Sequence, residues 1–246
     1  MLNDTQFPSP RVAITEDGQL TSRSWFRFFS NLFNFIGLSD GAVPVISGGT
    51  GIVSYDSGDL IYAPSANTLS RLAAPGAGNV CYLGTDGTNM PQWIQVAYGA
   101  FEDTTTQTAT LNTATAITFN TITYDVSVSR GTPTSRIILA NAGLYNIQFS
   151  IQLNNTNTAV DDIVVWLKVN GSNVANTASW ITVPSKHGSD NGSAILALNL
   201  FNQFNANDYF ELFWLTKTGT STIQTVASGA AYPASPGAIL TVNQII

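Results

Sequence analysis

Hydrophobic positions along this chain follow two different rhythms. Between residues 21 and 37 apolar side chains recur every three or four positions, which predicts one amphipathic helix. Thr21 or Ser22 is suited to cap its first turn, and Gly37 is suited to end it. The apolar face of this helix consists of Trp25, Phe28, Phe29, Leu32, Phe33 and Ile36. A helix of about four turns is marginally stable alone, so such an aromatic face needs a partner.

Two kinds of partner outside its own domain fit this helix. One is the same helix from two neighbouring subunits, and the other is a groove on a larger assembly. Packing against its own domain is the third possibility, which the long extended region that follows disfavours. Before the helix, Pro8 and Pro10 oppose helix formation and Asp17-Gly18 predicts a turn. We therefore predict an attachment arm and an attachment helix over residues 1–38.

A second pattern covers residues 39–99, where short apolar bursts alternate with glycine. None of the bursts is longer than one strand, and they include Ile52-Val53, Leu60-Ile61-Tyr62, Tyr82-Leu83 and Trp93-Ile94. One chain would leave these side chains exposed, whereas three parallel copies wound around an axis could bury them. The pattern predicts a Gly-rich intertwined shaft. An interdomain linker is the alternative, although linkers carry fewer Leu, Ile, Tyr and Trp residues.

From about residue 100 onward the pattern is that of closely spaced strands. Turn pairs such as Asn170-Gly171 and Asn191-Gly192 separate several of them. The candidate strands are 108–112, 116–119, 125–129, 136–139, 143–153, 163–169, 178–183, 193–200, 209–216, 222–227 and 238–245. About ten strands without an intervening helix predict a mainly β fold, an antiparallel jelly-roll sandwich that forms a head domain over residues 100–246.

Charge and composition narrow the possible functions. Charged residues make up 10% of the chain, and nine basic against fifteen acidic residues give a net charge of −6. No cluster of Lys and Arg is present, which argues against a nucleic-acid partner. No apolar run is long enough to cross a bilayer and no signal-peptide pattern opens the chain, so we expect no membrane insertion. The single cysteine, Cys81, excludes an intrachain disulfide and suits assembly in a reducing cytoplasm.

Few residues in the sequence are candidates for catalysis or for binding a metal ion. The one histidine, His187, has no G-x-S-x-G elbow elsewhere to pair with, and no phosphate-binding glycine motif is present. We therefore expect a protein that is not an enzyme and that uses no cofactor. A metal ion shared by three symmetry copies of His187 is left open. The pair Asp161-Asp162 is interpreted as a solvated turn because it lacks the acidic ladder of a calcium loop.

Polar loops with aromatic residues supply the candidate contacts to a receptor. Asn, Ser and Thr side chains can bond sugar hydroxyls while an aromatic ring covers the sugar face. The candidate loops are 154–158, 173–180, 186–191 and 230–236, and the candidate receptor residues in them are Asn154, Asn155, Trp180, His187 and Tyr232. The same residue types also occur in cores and interfaces, so this pattern is weak alone.

Residues 47–94 resemble shaft segments of tailed-bacteriophage fibre proteins. The resemblance lies in GGTG at 48–51, GDLIYA at 58–63 and NTLSRL at 67–72. A second phrase starts with GNV at 78–80 and runs through Leu83, Asp86 and Gly87 to PQW at 91–93. The resemblance implies a virion part, and the arm with its helix is similar to the short attachment regions of such fibres.

Residues 100–246 resemble the trimeric jelly rolls shared by tumour necrosis factor and the complement globular heads. The matching phrases are AGLYNIQFS at 142–150, LKVNG at 167–171 and NDYFEL at 207–212. Asn207 stands where that family usually has glycine, and Asn also tolerates left-handed geometry. The resemblance implies a homotrimer whose last strand, GAILTV at 237–242, lies near the threefold axis.

Together these patterns predict a homotrimeric phage virion protein, located on the tail or capsid surface and assembled in the bacterial host cytoplasm. Its N-terminus would join a tail, portal or adaptor component, and its head would bind a host-surface glycan without altering it. A head fibre or capsid-decorating protein attached to the major capsid protein is the alternative. A polysaccharide-cleaving tailspike is disfavoured because such spikes usually have long parallel β-helices and paired acidic groups.

Overall fold

The computed structural model describes residues 11–16, 20–35, 45, 49–78 and 80–245, and it is mainly β. Two compact units divide the chain, residues 1–94 and residues 95–246. Within the described residues no helix has the length and apolar character needed to cross a membrane. The predicted arm and the start of the predicted shaft lie largely outside the described residues.

The first unit opens with a pair of short strands and the predicted helix. Strand β1 (Thr15–Glu16) pairs antiparallel with β2 (Leu20–Thr21), and helix α1 (Arg23–Phe35) follows. The carbonyl of Ser22 accepts a hydrogen bond from the Phe26 N–H at 2.9 Å. The helix therefore starts from Ser22, but the Ser22 hydroxyl makes no hydrogen bond within the described residues, so the predicted side-chain cap is not formed. Ile36 and Gly37, which the sequence assigned to the end of the helix, lie outside the described residues.

Two hairpins contain most of the apolar bursts of the predicted shaft, whereas Ile52-Val53 lies outside any strand. Strand β3 (Leu60–Ser65) pairs with β4 (Thr68–Leu72), and β5 (Cys81–Thr85) pairs with β6 (Pro91–Gln95). The large side chains that these two hairpins leave exposed are Leu60, Ile61, Tyr82 and Leu83. The bursts in the hairpins are therefore strands that remain open to solvent on one chain. Their intertwining with other chains stays a prediction.

Aspartate side chains stabilise the backbone around both hairpins. Asp59 accepts the Asp56 N–H at 2.7 Å and the Ala74 N–H at 2.9 Å, and these bonds, with the nearby Arg71 guanidinium, lower its pKa. Asp86 accepts the hydroxyl and N–H of Thr88 and the Met90 N–H, which lowers its pKa as well. The acidic residues inside the fibre-like phrases thus have a local structural role.

Fourteen strands build the described part of the second unit. They are β7 (Tyr98–Asp103), β8 (Gln107–Thr108), β9 (Thr115–Ala116), β10 (Thr121–Val126), β11 (Val128–Arg130), β12 (Ile137–Leu139), β13 (Gly143–Asn155), β14 (Asp161–Val169), β15 (Ser172–Asn173), β16 (Ser179–Val183), β17 (Gly192–Phe204), β18 (Tyr209–Thr216), β19 (Ser221–Ile223) and β20 (Ala238–Gln244).

These strands form two antiparallel sheets. In the first sheet the order is β10-β7-β20-β13-β19-β8, and β17 pairs with β13 on its other side. In the second sheet the order is β11-β12-β18-β14-β15, with β16 beside β14 and β9 beside β18. One core joins buried side chains from both sheets, such as Phe101, Tyr145 and Ile151 from the first and Val165, Phe210 and Trp214 from the second. This arrangement is consistent with a β-sandwich.

The longer predicted strands are confirmed, while the short ones near the start of this unit are not. Predicted strand 108–112 is reduced to β8, and predicted strand 125–129 is interrupted at Ser127, whose φ is +54°. Strand β7 is absent from the predicted set. Its inward positions are Gly99, Phe101 and Asp103, so the usual apolar alternation is missing. Asp103 is buried because Thr105 and Thr118 bond its carboxylate.

Asp161 is buried, so its interpretation as part of a solvated turn is wrong. Its carboxylate accepts four hydrogen bonds: from the Thr216 hydroxyl at 2.6 Å and from the N–H groups of Thr218 at 2.9 Å, Lys217 at 3.1 Å and Ser221 at 3.1 Å. Burial alone would raise the pKa of Asp161, but these bonds outweigh it and the pKa lies below the ordinary value. The carboxylate therefore fastens β14 to the turn after β18.

Asp161→Asn is expected to lower the free energy of unfolding by about 2–4 kcal/mol, because several buried donors lose a charged acceptor. Since the native pKa is depressed, this contribution is complete above the unfolded pKa of about 3.9 and disappears as pH falls through the lower native pKa. Urea denaturation of both proteins at pH 7 and pH 3 would measure it. Asp162→Asn, at the exposed neighbouring residue, is the matched control. Equal midpoints for wild type and Asp161→Asn at pH 7 would contradict this role.

Candidate functional site

The outer surface of the first sheet is unusually apolar where β20, β13 and β17 lie side by side. Ile195 and Phe201 on β17 expose 65% and 59% of their surface, and Ile239 on β20 is also exposed. A shallow groove of about 550 Å³ runs between them, lined in part by Gln148 and Thr241. Alternation explains the arrangement, since Leu196 and Leu198 beside these residues belong to the core side.

No charged residue occurs anywhere in these three strands. Their sequences are AILTVNQ, GLYNIQFSIQLNN and GSAILALNLFNQF, so the outward positions are Asn, Gln, Ser, Thr, Ala, Ile or Phe. We call this surface the charge-free face. Monomeric proteins rarely expose contiguous uncharged apolar patches unless the patch is a binding surface.

Strand β17 is also an edge strand. Among the described residues it pairs with β13 alone, over all thirteen of its residues from Gly192 to Phe204. Edge strands are normally protected by charge, proline, a bulge or a covering loop. Charge and proline are absent from β17, and its ladder with β13 is continuous. A long unprotected edge beside an apolar face is typical of a strand that is covered in an assembly.

The helix presents a second apolar surface. Phe26 and Phe33 expose 63% and 57% of their surface, and with Phe29 they border a groove of about 590 Å³. We call Phe26, Phe29 and Phe33 the aromatic stripe. The set predicted from sequence omitted Phe26, whose i, i+3, i+7 relation to Phe29 and Phe33 marks a face of its own. Leu32, from the predicted set, is exposed as well.

Trp25, another residue of the predicted set, is turned toward the segment before the helix. Trp25 is half-buried, and its indole N–H donates to the Val12 carbonyl at 3.0 Å. Phe28, also half-buried, meets the Trp25 ring edge to face at 5.9 Å between centroids. Trp25 therefore fixes the helix to the segment before it. Phe29 of the aromatic stripe also stacks on Trp25, at 5.7 Å between centroids, so Phe26 and Phe33 are the residues of the stripe left for another partner.

The candidate receptor residues do not form one site. Asn155 is fully buried, where its amide donates to the carbonyls of Ala159 and Pro184 and its oxygen accepts from Asn157 and Thr220. Its assignment as a receptor contact is therefore wrong, because these bonds hold the loop between β13 and β14. Asn154, next to it, is half-buried on the outer side of β13.

His187 and Tyr232 lie in separate exposed loops. His187 shares a pair of backbone hydrogen bonds with Asp190, of 2.9 and 3.0 Å. Tyr232 lies in the loop between β19 and β20, and the Gly229 N–H donates to its carbonyl at 3.0 Å. Among the described residues no group of three or more His, Cys, Asp or Glu side chains could hold a metal ion.

Trp180 belongs to strand β16 rather than to a loop. Its side chain is 62% exposed, on the outer side of the second sheet, and the Lys217 ammonium lies 5.5 Å from the ring centroid. Two residues along the strand, Thr182 donates to Asp162 at 2.6 Å. Trp180 was predicted from the sequence as a receptor residue, but Asp162 and Lys217 were not placed beside it, because both lie far from Trp180 along the chain.

No protein-family model matches the chain, and no curated protein matches it. The features of the molecule that indicate a function are therefore the charge-free face, the aromatic stripe and the surroundings of Trp180.

Proposed function

We propose that this chain is the subunit of a homotrimeric fibre protein of a bacteriophage virion. Its N-terminal segment attaches it to the particle, and its second unit is a trimeric head that binds the host surface without catalysis. The observation that carries this proposal is the charge-free face with its unprotected edge strand β17. A second copy of the chain is the occupant that fits it best, because an uncharged face avoids the repulsion that identical charged surfaces suffer.

The energy available on this face is adequate for stable association. Removing an Ile or Phe side chain from water contributes about 1.5–3 kcal/mol. Ile195, Phe201 and Ile239 supply three such side chains per subunit, and each is repeated three times in a trimer. The polar residues between them, such as Asn199 and Gln148, can pair across an interface without burying a charge.

Strand order supports the likeness to the trimeric jelly rolls. The first sheet contains the strand order β7-β20-β13-β17 and the second contains β12-β18-β14-β16. Along the chain, the sheet changes after β8, β9, β10, β12, β13, β16, β17 and β18. Such repeated crossing between two antiparallel sheets is characteristic of a jelly roll. In the resembled family the last strand lies near the threefold axis. Here the last strand, β20, contributes Ile239 to the charge-free face.

The hairpins of the first unit support a shaft. Val53, Ile61, Val80 and Leu83 are exposed in the single chain, and all lie in the segment that resembles phage fibres. Wrapping three copies would remove these side chains from water. The exposure of Ile61 and Leu83, which lie on paired strands, is the observation that favours assembly over an independent linker, since a linker would not place aliphatic side chains on paired strands.

The purified full chain is expected to have three times its monomer mass of 26.2 kDa at micromolar concentration. Light scattering coupled to size-exclusion chromatography would measure that mass. A folded, soluble monomer with a cooperative thermal transition would refute the trimer. Mass spectrometry of purified phage particles tests the virion assignment separately, because a fibre protein must co-purify with the capsid.

A further inference from the structure

We infer that the outer side of the second sheet carries a binding site for one pyranose ring of a surface glycan, formed by Trp180, Thr182, Asp162 and Lys217. We call these four residues the Trp180 cluster. The inference rests on the proposed function, because a host-surface glycan is the ligand that a non-catalytic phage head would meet. It goes further by assigning the residues and the ligand chemistry.

Strand pairing brings the four residues together. Thr182 lies directly opposite Asp162, and on the other side of β14 the Lys217 N–H donates to the Asp162 carbonyl at 3.0 Å. Trp180 lies opposite Val164, two positions along the same strand pair. Side chains at such positions lie about 5–8 Å apart on one side of a sheet. The spacing of the cluster is therefore set by the backbone and needs no loop rearrangement.

Burial shows that the cluster faces solvent. Asp161 and Ile163, the chain neighbours of Asp162, are fully buried, so Asp162 points away from the core. Trp180, Thr182 and Lys217 are exposed in the same way. The cluster is thus on the opposite sheet from the charge-free face, and assembly through that face uses none of its residues.

The cluster offers the three kinds of contact that a pyranose needs. A pyranose has an apolar C–H side that packs on an aromatic ring, and its hydroxyls both donate and accept hydrogen bonds. Trp180 supplies the ring. Asp162 Oδ1 accepts from Thr182 and leaves Oδ2 as an acceptor, while the Lys217 ammonium makes no ion pair within the described residues and is a donor.

Tyr232 and Phe201, two other strongly exposed aromatic residues of the second unit, lack this combination. Tyr232 is 59% exposed, but it lies in a loop, residues 224–237, that contains no charged side chain. Phe201 is exposed on the charge-free face, where no charged donor or acceptor flanks it. An aromatic ring on a rigid strand with a free donor and a free acceptor is found at Trp180. This difference selects Trp180 and makes Tyr232 a matched control.

A single open site of this size binds a monosaccharide weakly, so we expect dissociation constants in the millimolar range (~4 kcal/mol of binding free energy). Three clusters on one trimer, and several trimers on one particle, would raise the avidity by two or more orders of magnitude. Weak single sites are thus compatible with firm adsorption of a phage particle.

Saturation-transfer-difference NMR of the full chain would test this site, with methyl glycosides of glucose, galactose, mannose, rhamnose, N-acetylglucosamine and glucuronic acid as probes. We expect at least one glycoside to bind the wild type. Trp180→Ala should weaken its binding at least tenfold, and Lys217→Met or Asp162→Asn about three- to tenfold. Trp180→Phe should keep part of the binding, and Tyr232→Ala should keep all of it.

The inference is overturned if the wild type binds none of the six glycosides, or if Trp180→Ala and Lys217→Met both bind like the wild type. The molecular mass of every sample is measured in parallel. A trimer that binds no glycoside overturns the sugar site and leaves the proposed fibre architecture intact. A monomer that binds a glycoside through Trp180 supports the site and overturns the architecture.

Discussion

The double variant Ile195→Asp, Phe201→Asp is expected to dissociate the proposed trimer into folded monomers. Both side chains are more than half exposed in the single chain, so the monomer tolerates a carboxylate at each position. In a trimer the two substitutions would place six carboxylates in or beside the interface, where each unpaired buried charge costs several kcal/mol. The loss of two apolar anchors adds about 3–6 kcal/mol per subunit. Association should therefore weaken by more than a thousandfold.

Sedimentation velocity over a hundredfold range of concentration would measure this effect, and circular dichroism would check that the fold is retained. Val160→Asp is the matched control, because Val160 is similarly exposed but lies in the loop between β13 and β14, outside the three strands of the charge-free face. A double variant at Ile195 and Phe201 that stays trimeric would place the interface elsewhere on the molecule.

The second large effect concerns the aromatic stripe. Phe26→Ala with Phe33→Ala is expected to leave the trimeric head intact and to produce virions depleted of this protein. Large aromatic side chains commonly dominate interface energetics, and the loss of two would remove several kcal/mol, about a thousandfold in affinity. The copy number relative to the major capsid protein, measured by quantitative mass spectrometry of purified particles, would report the depletion.

Phe28→Ala is the informative comparison for this variant. Phe28 packs on Trp25 within the N-terminal segment and is half-buried, so its loss tests a general weakening of the helix. If Phe28→Ala depletes the virions as strongly as the double variant does, the effect reflects helix stability rather than docking. A normal copy number for the Phe26 and Phe33 variant would show that attachment depends on other residues.

Periodicity was sufficient to predict the helix and the long strands. The helix start at Ser22 and strands such as β13 and β14 have strong apolar rhythms, because one side of each packs on a large partner. Strand β7 was not predicted, because its inward residues are glycine, phenylalanine and a hydrogen-bonded aspartate rather than a row of apolar side chains. A buried carboxylate cannot be recognised from sequence, since its donors, Thr105 and Thr118, are defined by the fold.

The candidate binding surfaces could also be predicted only in part, because they depend on residues that the fold brings together. Trp180 was recognised by residue type, but its usefulness depends on Asp162 and Lys217, which only the pairing of β16, β14 and β18 brings near. Asn155 was predicted to contact a receptor because its side chain is polar. In the structure its amide instead donates hydrogen bonds to the carbonyls of Ala159 and Pro184 inside the protein. The charge-free face was overlooked because β17 is apolar on both sides, which obscures which side is the core.

The uncharged edge of β17 also has a consequence for how the protein is made. If the proposed trimer covers this edge, each newly synthesised chain exposes thirteen residues of strand backbone until it meets its partners, with no charge to deter pairing with any other exposed strand. Correct assembly and aggregation therefore compete for the same edge, and the outcome depends on how long a monomer persists. Subunits released close together from one messenger RNA would assemble sooner, so the yield of soluble protein becomes a matter of timing during translation as well as of final stability.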